Sequence, residues 1–219
     1  MNVSTSHFVG WTAIVGGVVG VVSFVSLVLL FVVGEPFGTL NDLLAIPVAI
    51  LLIPLIVTLF RLHAAEHTML STLAMLAGLA GFWATAIGGG LLVLGRISFE
   101  QSLLPGIGGF GLIGLWLLIN SALALGARTL PSGVAWFGLL LALSPTLALV
   151  AVFRAVNVAT MLTSFGGQSA GAAPVSPLVY AFVIVGAISY AALPVFLIVL
   201  GRLFLSGRPG MLIASVAAS

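Results

Sequence analysis

Residues 43–60 read LLAIPVAILLIPLIVTLF and residues 69–95 read MLSTLAMLAGLAGFWATAIGGGLLVLG; neither holds an ionisable side chain, and the short polar segment RLHAAEHT (61–68) separates them. A bilayer hydrocarbon core about 30 Å thick is crossed by about 20 apolar residues rising 1.5 Å each. Backbone polar groups inside it must pair within their own segment, which selects the helix. Each stretch is therefore read as a membrane-spanning helix, and the segment between them as a turn on one membrane surface.

Four more stretches share this character outward from the pair: 9–33, 105–126, 131–153 and 178–204. Every charged residue except Arg202 falls between the stretches or at an end, and Arg202 sits close enough to a helix end to snorkel. The whole chain of 219 residues is 62% hydrophobic and 5% charged, against about 45–50% and about 25% for a soluble domain. Ten charged residues cannot cover a water-facing surface. The expected fold is all-α: one polytopic membrane domain over 1–219 with six transmembrane helices. The leader MNVSTSHF carries no positive charge and no A-x-A follows the first apolar run, so that run is expected to persist as a helix rather than be removed as a signal peptide.

Six spans would place both termini on one side, with Arg61, Arg128, Arg202 and Arg208, and would leave Arg96 and Arg154 opposite. The positive-inside rule then makes both termini cytoplasmic, in a cell inner (plasma) membrane. Residues 154–177 form the one long connection, on the external side. Val158, Met161, Leu162 and Phe165 there have the spacing of an interfacial helix, and GGQSAGAAPVSP reads as a loop.

Phe60-Arg61 and Phe153-Arg154 end two spans, each with an upstream proline (Pro54, Pro145). Val93-Leu94-Gly95-Arg96 and Val199-Leu200-Gly201-Arg202 end two more, and Gly16-Gly17 matches Gly108-Gly109. These pairs admit a 3+3 inverted repeat of the kind secondary transporters use. Against it stands the ease with which Leu-, Val- and Gly-rich chains match themselves.

Few residues could carry chemistry. His63-Ala64-Ala65-Glu66-His67 spells H-x-x-E-H, which in zinc enzymes sets two histidines on one helical face with a glutamate base. A zinc site needs a further ligand and none is evident, so the plainer reading is a surface turn with interfacial histidines. The overlapping G-x-G-x-x-G spellings at Gly106–Gly114 lack the preceding strand of a nucleotide site; with Gly16, Gly20 and Gly88–Gly90 they are read as helix-packing positions. No cofactor is expected. Retinal would need a lysine and the chain has none; it also lacks cysteine, which removes thiolate catalysis and Cys-based metal sites. The six arginines form no basic cluster, so no nucleic-acid partner is expected.

On the external side Glu35, Asp42, Arg96, Glu100 and Arg154, with Asn41 and Asn157 nearby, gather both signs of charge near one membrane face. They form either surface ion pairs, with Arg96–Glu100 as an i, i+4 pair and Asn41-Asp42 capping the second span, or the mouth of a ligand pocket. Within the spans the polar groups are Thr58, Thr85, Asn120, Ser121, Ser144, Thr146, Ser189 and Tyr190. No carboxylate lies among them, which argues against a pump built on intramembrane acids.

The run Pro36-Phe37-Gly38-Thr39-Leu40-Asn41-Asp42-Leu43-Leu44, followed by a proline-bearing span ending Leu59-Phe60-Arg61-Leu62, resembles an uncharacterised family of bacterial six-helix integral membrane proteins. The resemblance implies the fold and brings no activity or site residues with it. The expected function is non-catalytic: binding or moving a small or lipid-like solute through a pocket near Glu35, Asp42, Arg96, Glu100, Arg154 and Asn157, with membrane lipids as surroundings. One alternative is an accessory subunit that packs through glycine faces into a homo-oligomer or larger complex. The other is a membrane metalloenzyme using His63, Glu66 and His67.

Overall fold

The computed structural model describes the backbone of residues 3–153 and 177–207 and the side chains of 3–147 and 184–207. Arg154, Asn157, Arg208 and nearly all of the 154–177 connection lie outside the described residues. Five helices make up the described chain: α1 (Val3–Val32), α2 (Phe37–Val93), α3 (Phe99–Ala127), α4 (Ser132–Phe153) and α5 (Pro177–Leu205). Among the described residues, stretches in α1, α2, α3 and α5 are long and apolar enough to cross a membrane, and Ser132–Leu147 in α4 is apolar but shorter.

The expected turn between the second and third spans is not a loop. Helix continues through Arg61–Glu66 and breaks only at His67 (φ −135°, ψ 54°), because RLHAAEHT holds no glycine or proline and is mostly made of helix formers. At that one residue the 57-residue element doubles back. A Cβ placed on Gly89 would lie 3.1 Å from the Asp42 Cβ, and one on Gly90 3.7 Å from Ile46 Cδ1, so the two arms lie side by side and antiparallel.

Two other boundaries move. α2 begins at Phe37 rather than near Leu43, so Asn41 and Asp42 are inside the helix and cap nothing; Glu35 instead accepts from Thr39 N at 3.2 Å and Thr39 Oγ1 at 3.1 Å. α3 begins at Phe99 under a capping box in which Ser98 Oγ accepts from Gln101 N and Gln101 Oε1 accepts from Ser98 N. The spelling S-x-x-Q announces that start, six residues before the expected one. With α2 ending at Val93 and Gly95 left-handed (φ 64°), Arg96 and Glu100 sit on either side of a turn and are not an i, i+4 helical pair.

Glycines decide which rods touch. Each pairing runs antiparallel, and together they close a ring. A Cβ on Gly10 would meet the Gly201 carbonyl at 2.8 Å and one on Gly17 the Pro194 carbonyl at 2.7 Å, joining α1 to α5; Gly16 faces Leu52 on the first arm of α2. On the second arm Gly81 and Gly109 approach backbone to backbone and Gly88 meets Pro105, which seats α3. Gly114 receives Pro145 of α4, and Phe137 of α4 packs edge-on to Phe196 of α5. Contacts this close are the packing lipid permits, since tails solvate apolar side chains as well as protein does and small residues leave backbone dispersion to hold helices together. The glycines around 16–20 and 88–89 are thus consumed within the chain, while Gly106 and Gly108 meet nothing within 4 Å among the described residues.

The glycine pairs that suggest a repeat do not share packing partners. Gly17 meets Pro194, but the position matching Pro194, Gly88, packs against Pro105, and Gly109 meets Gly81 and Thr85.

The surface is inverted relative to a soluble bundle. α1 buries Ser6, Ser23, Ser26, Gly16 and Ala13 while Val18, Val22, Val25 and Val28 point outward. Leu140, Leu143 and Leu147 on α4 and Ile184 and Ile188 on α5 are also more than half exposed. In water that arrangement would be strongly unfavourable; in hydrocarbon it is the expected one. The fold is that of a helical membrane protein.

Candidate functional site: a cavity with one polar end

Five of the six rods (α2 counting as two) line a cavity of about 90 Å³. Its walls are apolar apart from Ser23 on α1, Thr85 on the second arm of α2, and Tyr190 on α5; Phe82, Phe110 and Pro194 are among the rest. By volume it exceeds the roughly 10–15 Å³ needed for one water and falls short of the roughly 150 Å³ cavity that takes benzene.

The polar end is a hydrogen-bonded cluster drawn from three helices. Ser23 Oγ donates to Asn41 Oδ1 at 2.8 Å, and Tyr190 Oη donates to the same oxygen at 3.1 Å. Asn41 Nδ2 donates to Asp42 Oδ1 at 3.4 Å. The Tyr190 ring is held by Phe110, tilted 63° at 5.6 Å between centroids, and by Phe24 at 6.1 Å. Pro194 has no N–H to give the carbonyl four residues earlier, which is that of Tyr190, so this carbonyl lacks its helical partner. Asp42 lies just outside the apolar 43–60 stretch. Burial pushes its carboxyl up from the ordinary 3.8, the hydrogen bond from Asn41 pulls it back, and the nearby Glu35 charge raises it further.

Of the described charged external candidates, Asp42 alone reaches this cluster. Glu35, Arg96 and Glu100 are exposed, Glu35 serving as the acceptor for Thr39. Arg154 and Asn157 lie outside the described residues. Asp42, expected at the mouth of a pocket, touches the interior cluster through Asn41. Ser23 went unnoticed because one serine in a valine- and glycine-rich helix is ordinary. The signal for Tyr190 was its place four residues ahead of Pro194.

The H-x-x-E-H residues do not converge. His63 is buried, while Glu66 and His67 are exposed and the helix breaks at His67. Among the described residues no group of three or more His, Cys, Asp or Glu side chains could hold a metal ion. Both ring nitrogens of His63 are buried without a partner among the described residues, and burial, followed by the proximity of His67, lowers its pKa from 6.5 to about 4. Between those values the unfolded chain binds the proton and the folded one resists it. Stability contributed at higher pH is therefore lost as pH falls from about 6.5 toward about 4, by at most about 3 kcal/mol. A His63→Leu variant should show a flatter stability profile across that window in detergent unfolding measurements, at no cost at neutral pH because it removes two unpaired polar atoms. An unchanged acid slope would place the sensitivity elsewhere.

Fold and cavity together define a helical membrane protein with a partly open, mostly apolar chamber. No protein-family model, curated protein or solved structure matches the chain.

Proposed function

We propose that the protein binds, without catalysis, a small uncharged and largely apolar molecule, or the end of a lipid-like one, in this chamber, and that this is the binding step of solute handling in a bacterial inner membrane. The observation that carries the reading is the chamber itself: mostly apolar walls from five rods with a few polar side chains, Ser23, Thr85 and Tyr190, among them, the usual pattern of a small-molecule site. No ionised side chain lines it, which disfavours a charged ligand because desolvating one without a partner is costly.

The same reading places six crossings in the bilayer, each arm of α2 counting as one, with both termini cytoplasmic. In support, a straight helix of 57 residues would measure about 85 Å, nearly three hydrocarbon thicknesses, and the fold at His67 reduces it to two arms of ordinary span.

Ala45 lines the chamber, and Ala45→Phe should fill it. Five-membered rings such as pyrrole and furan, smaller than benzene, serve as probes. Ligand-observed NMR on protein in lipid nanodiscs, with empty nanodiscs as blank, should show saturable binding to the native chain. The variant should bind at least about tenfold more weakly while staying folded, overpacking of this kind costing about 1–3 kcal/mol. Absence of saturable binding to the native chain, or equal binding to both, would refute the chamber as a site.

A further inference from the structure

Asn41 is the hub of the polar cluster, and an ionised Asp42 fixes which way its amide faces. An ionised carboxylate only accepts hydrogen bonds. With Asp42 ionised, the amide must offer Nδ2 to Asp42, as observed at 3.4 Å, which turns Oδ1 toward Ser23 and Tyr190. Both hydroxyl protons are then committed to Asn41, and only lone pairs remain for the chamber. Thr85 behaves alike, its Oγ1 donating to the Phe82 carbonyl at 2.9 Å. The Tyr190 carbonyl freed by Pro194 is another acceptor. In this state the chamber offers acceptors and no donor, so a bound molecule must supply the hydrogen.

Adding one proton to Asp42 allows the chain of bonds to reverse, because a carboxylic acid can donate from one oxygen where a carboxylate can only accept. The carboxylic acid donates, the amide turns by 180° so that Oδ1 receives that hydrogen, and Nδ2 spends its two hydrogens on Ser23 Oγ and Tyr190 Oη. Ser23 Oγ and Tyr190 Oη stand 3.3 Å apart, so one hydroxyl hydrogen can serve that pair while the other is released to point into the chamber. No covalent bond changes and a single proton is taken up.

We propose that Asp42 acts as a proton-operated selector of the chamber: ionised, it admits molecules that donate a hydrogen bond; protonated, it admits molecules that accept one. This rests on the binding role of the chamber proposed above. Burial of the carboxyl raises its pKa from the ordinary value. The ionisable groups around it are few: Glu35 before α2, Tyr190 on α5, and Arg96 beyond the end of the second arm. α1 carries only His7, at its far end, and Met69–Val93 carries none.

Pyrrole and furan are near-isosteric rings, one with an N–H donor and one with an oxygen acceptor. Their relative affinity, measured by competition in nanodiscs, cancels any general weakening of the protein in acid. The pyrrole-to-furan affinity ratio is expected to fall at least about tenfold between about pH 8 and about pH 4, since each mismatch leaves buried polar groups unpaired. In Asp42→Asn, which keeps the side-chain shape and cannot titrate, the ratio should be independent of pH. A ratio constant in the native chain, or changing equally in Asp42→Asn, overturns the selector and leaves the binding role intact. No saturable binding of either ring at any pH removes both.

Discussion

Gly81→Val is expected to destabilise the folded chain by at least about 3 kcal/mol, the upper end of what overpacking costs. A first methyl-sized atom at this position would already lie 2.7 Å from the Gly109 carbonyl oxygen and 2.8 Å from the Ile113 backbone nitrogen. Those neighbours are backbone, so no rotamer change makes room, and the second arm of α2 and α3 have to part along their length. The separation would also open the chamber, to which Phe82 and Thr85 contribute from one side and Phe110 and Ile113 from the other. The comparison is Gly108→Val on the same helix pair, where nothing among the described residues lies within 4 Å and only the modest helix penalty of a β-branched residue applies. Equilibrium unfolding in mixed micelles, with chemical cross-linking of the two helices, reads the difference; equal losses in the two variants would refute the close approach.

Trp116→Ala is the second large effect, about 3 kcal/mol. The indole is 1% exposed, sits over Gly78, and packs edge-on against Phe82 with centroids 5.9 Å apart at 75°. In water, truncating such a side chain costs about 3–5 kcal/mol, part from transfer and part from the cavity left behind. In lipid the transfer part shrinks, because the separated helix would meet hydrocarbon instead, and the loss of dispersion contacts remains. This places the expectation at the lower end. Because the indole N–H has no hydrogen-bond partner among the described residues, no polar group is orphaned, and Trp116→Phe should recover most of the loss. A Trp116→Ala protein unfolding like the native one would show that the side chain is not packed as described.

Much of the architecture was legible from patterns local in sequence. The helical stretches came through because hydropathy over some twenty residues settles whether a segment can lie in lipid. Their ends were less legible. Asn41-Asp42 looked like a cap and lies inside α2, since nothing in Phe37–Leu40 prevents the helix from starting earlier. Arg61–Glu66 looked like a turn and stays helical. Charge drew attention to Glu35, Arg96 and Glu100, which are exposed, whereas the interior cluster is built from a serine, an asparagine and a tyrosine.

By itself, the order of amino acids determined the solvent. Sixty-two per cent apolar residues, with charges set at the ends of long runs, leave only hydrocarbon as a stable surrounding and only helices as the way through it. Tertiary structure alone decided what the interior can do. Tyr190 is 149 positions from Asn41 and 167 from Ser23, and no periodicity links residues so far apart. They meet because glycines at Gly17, Gly20 and Gly201 let α1 and α5 close to backbone contact, and because hydroxyl and amide groups facing the interior of a membrane protein must find one another or remain unpaired.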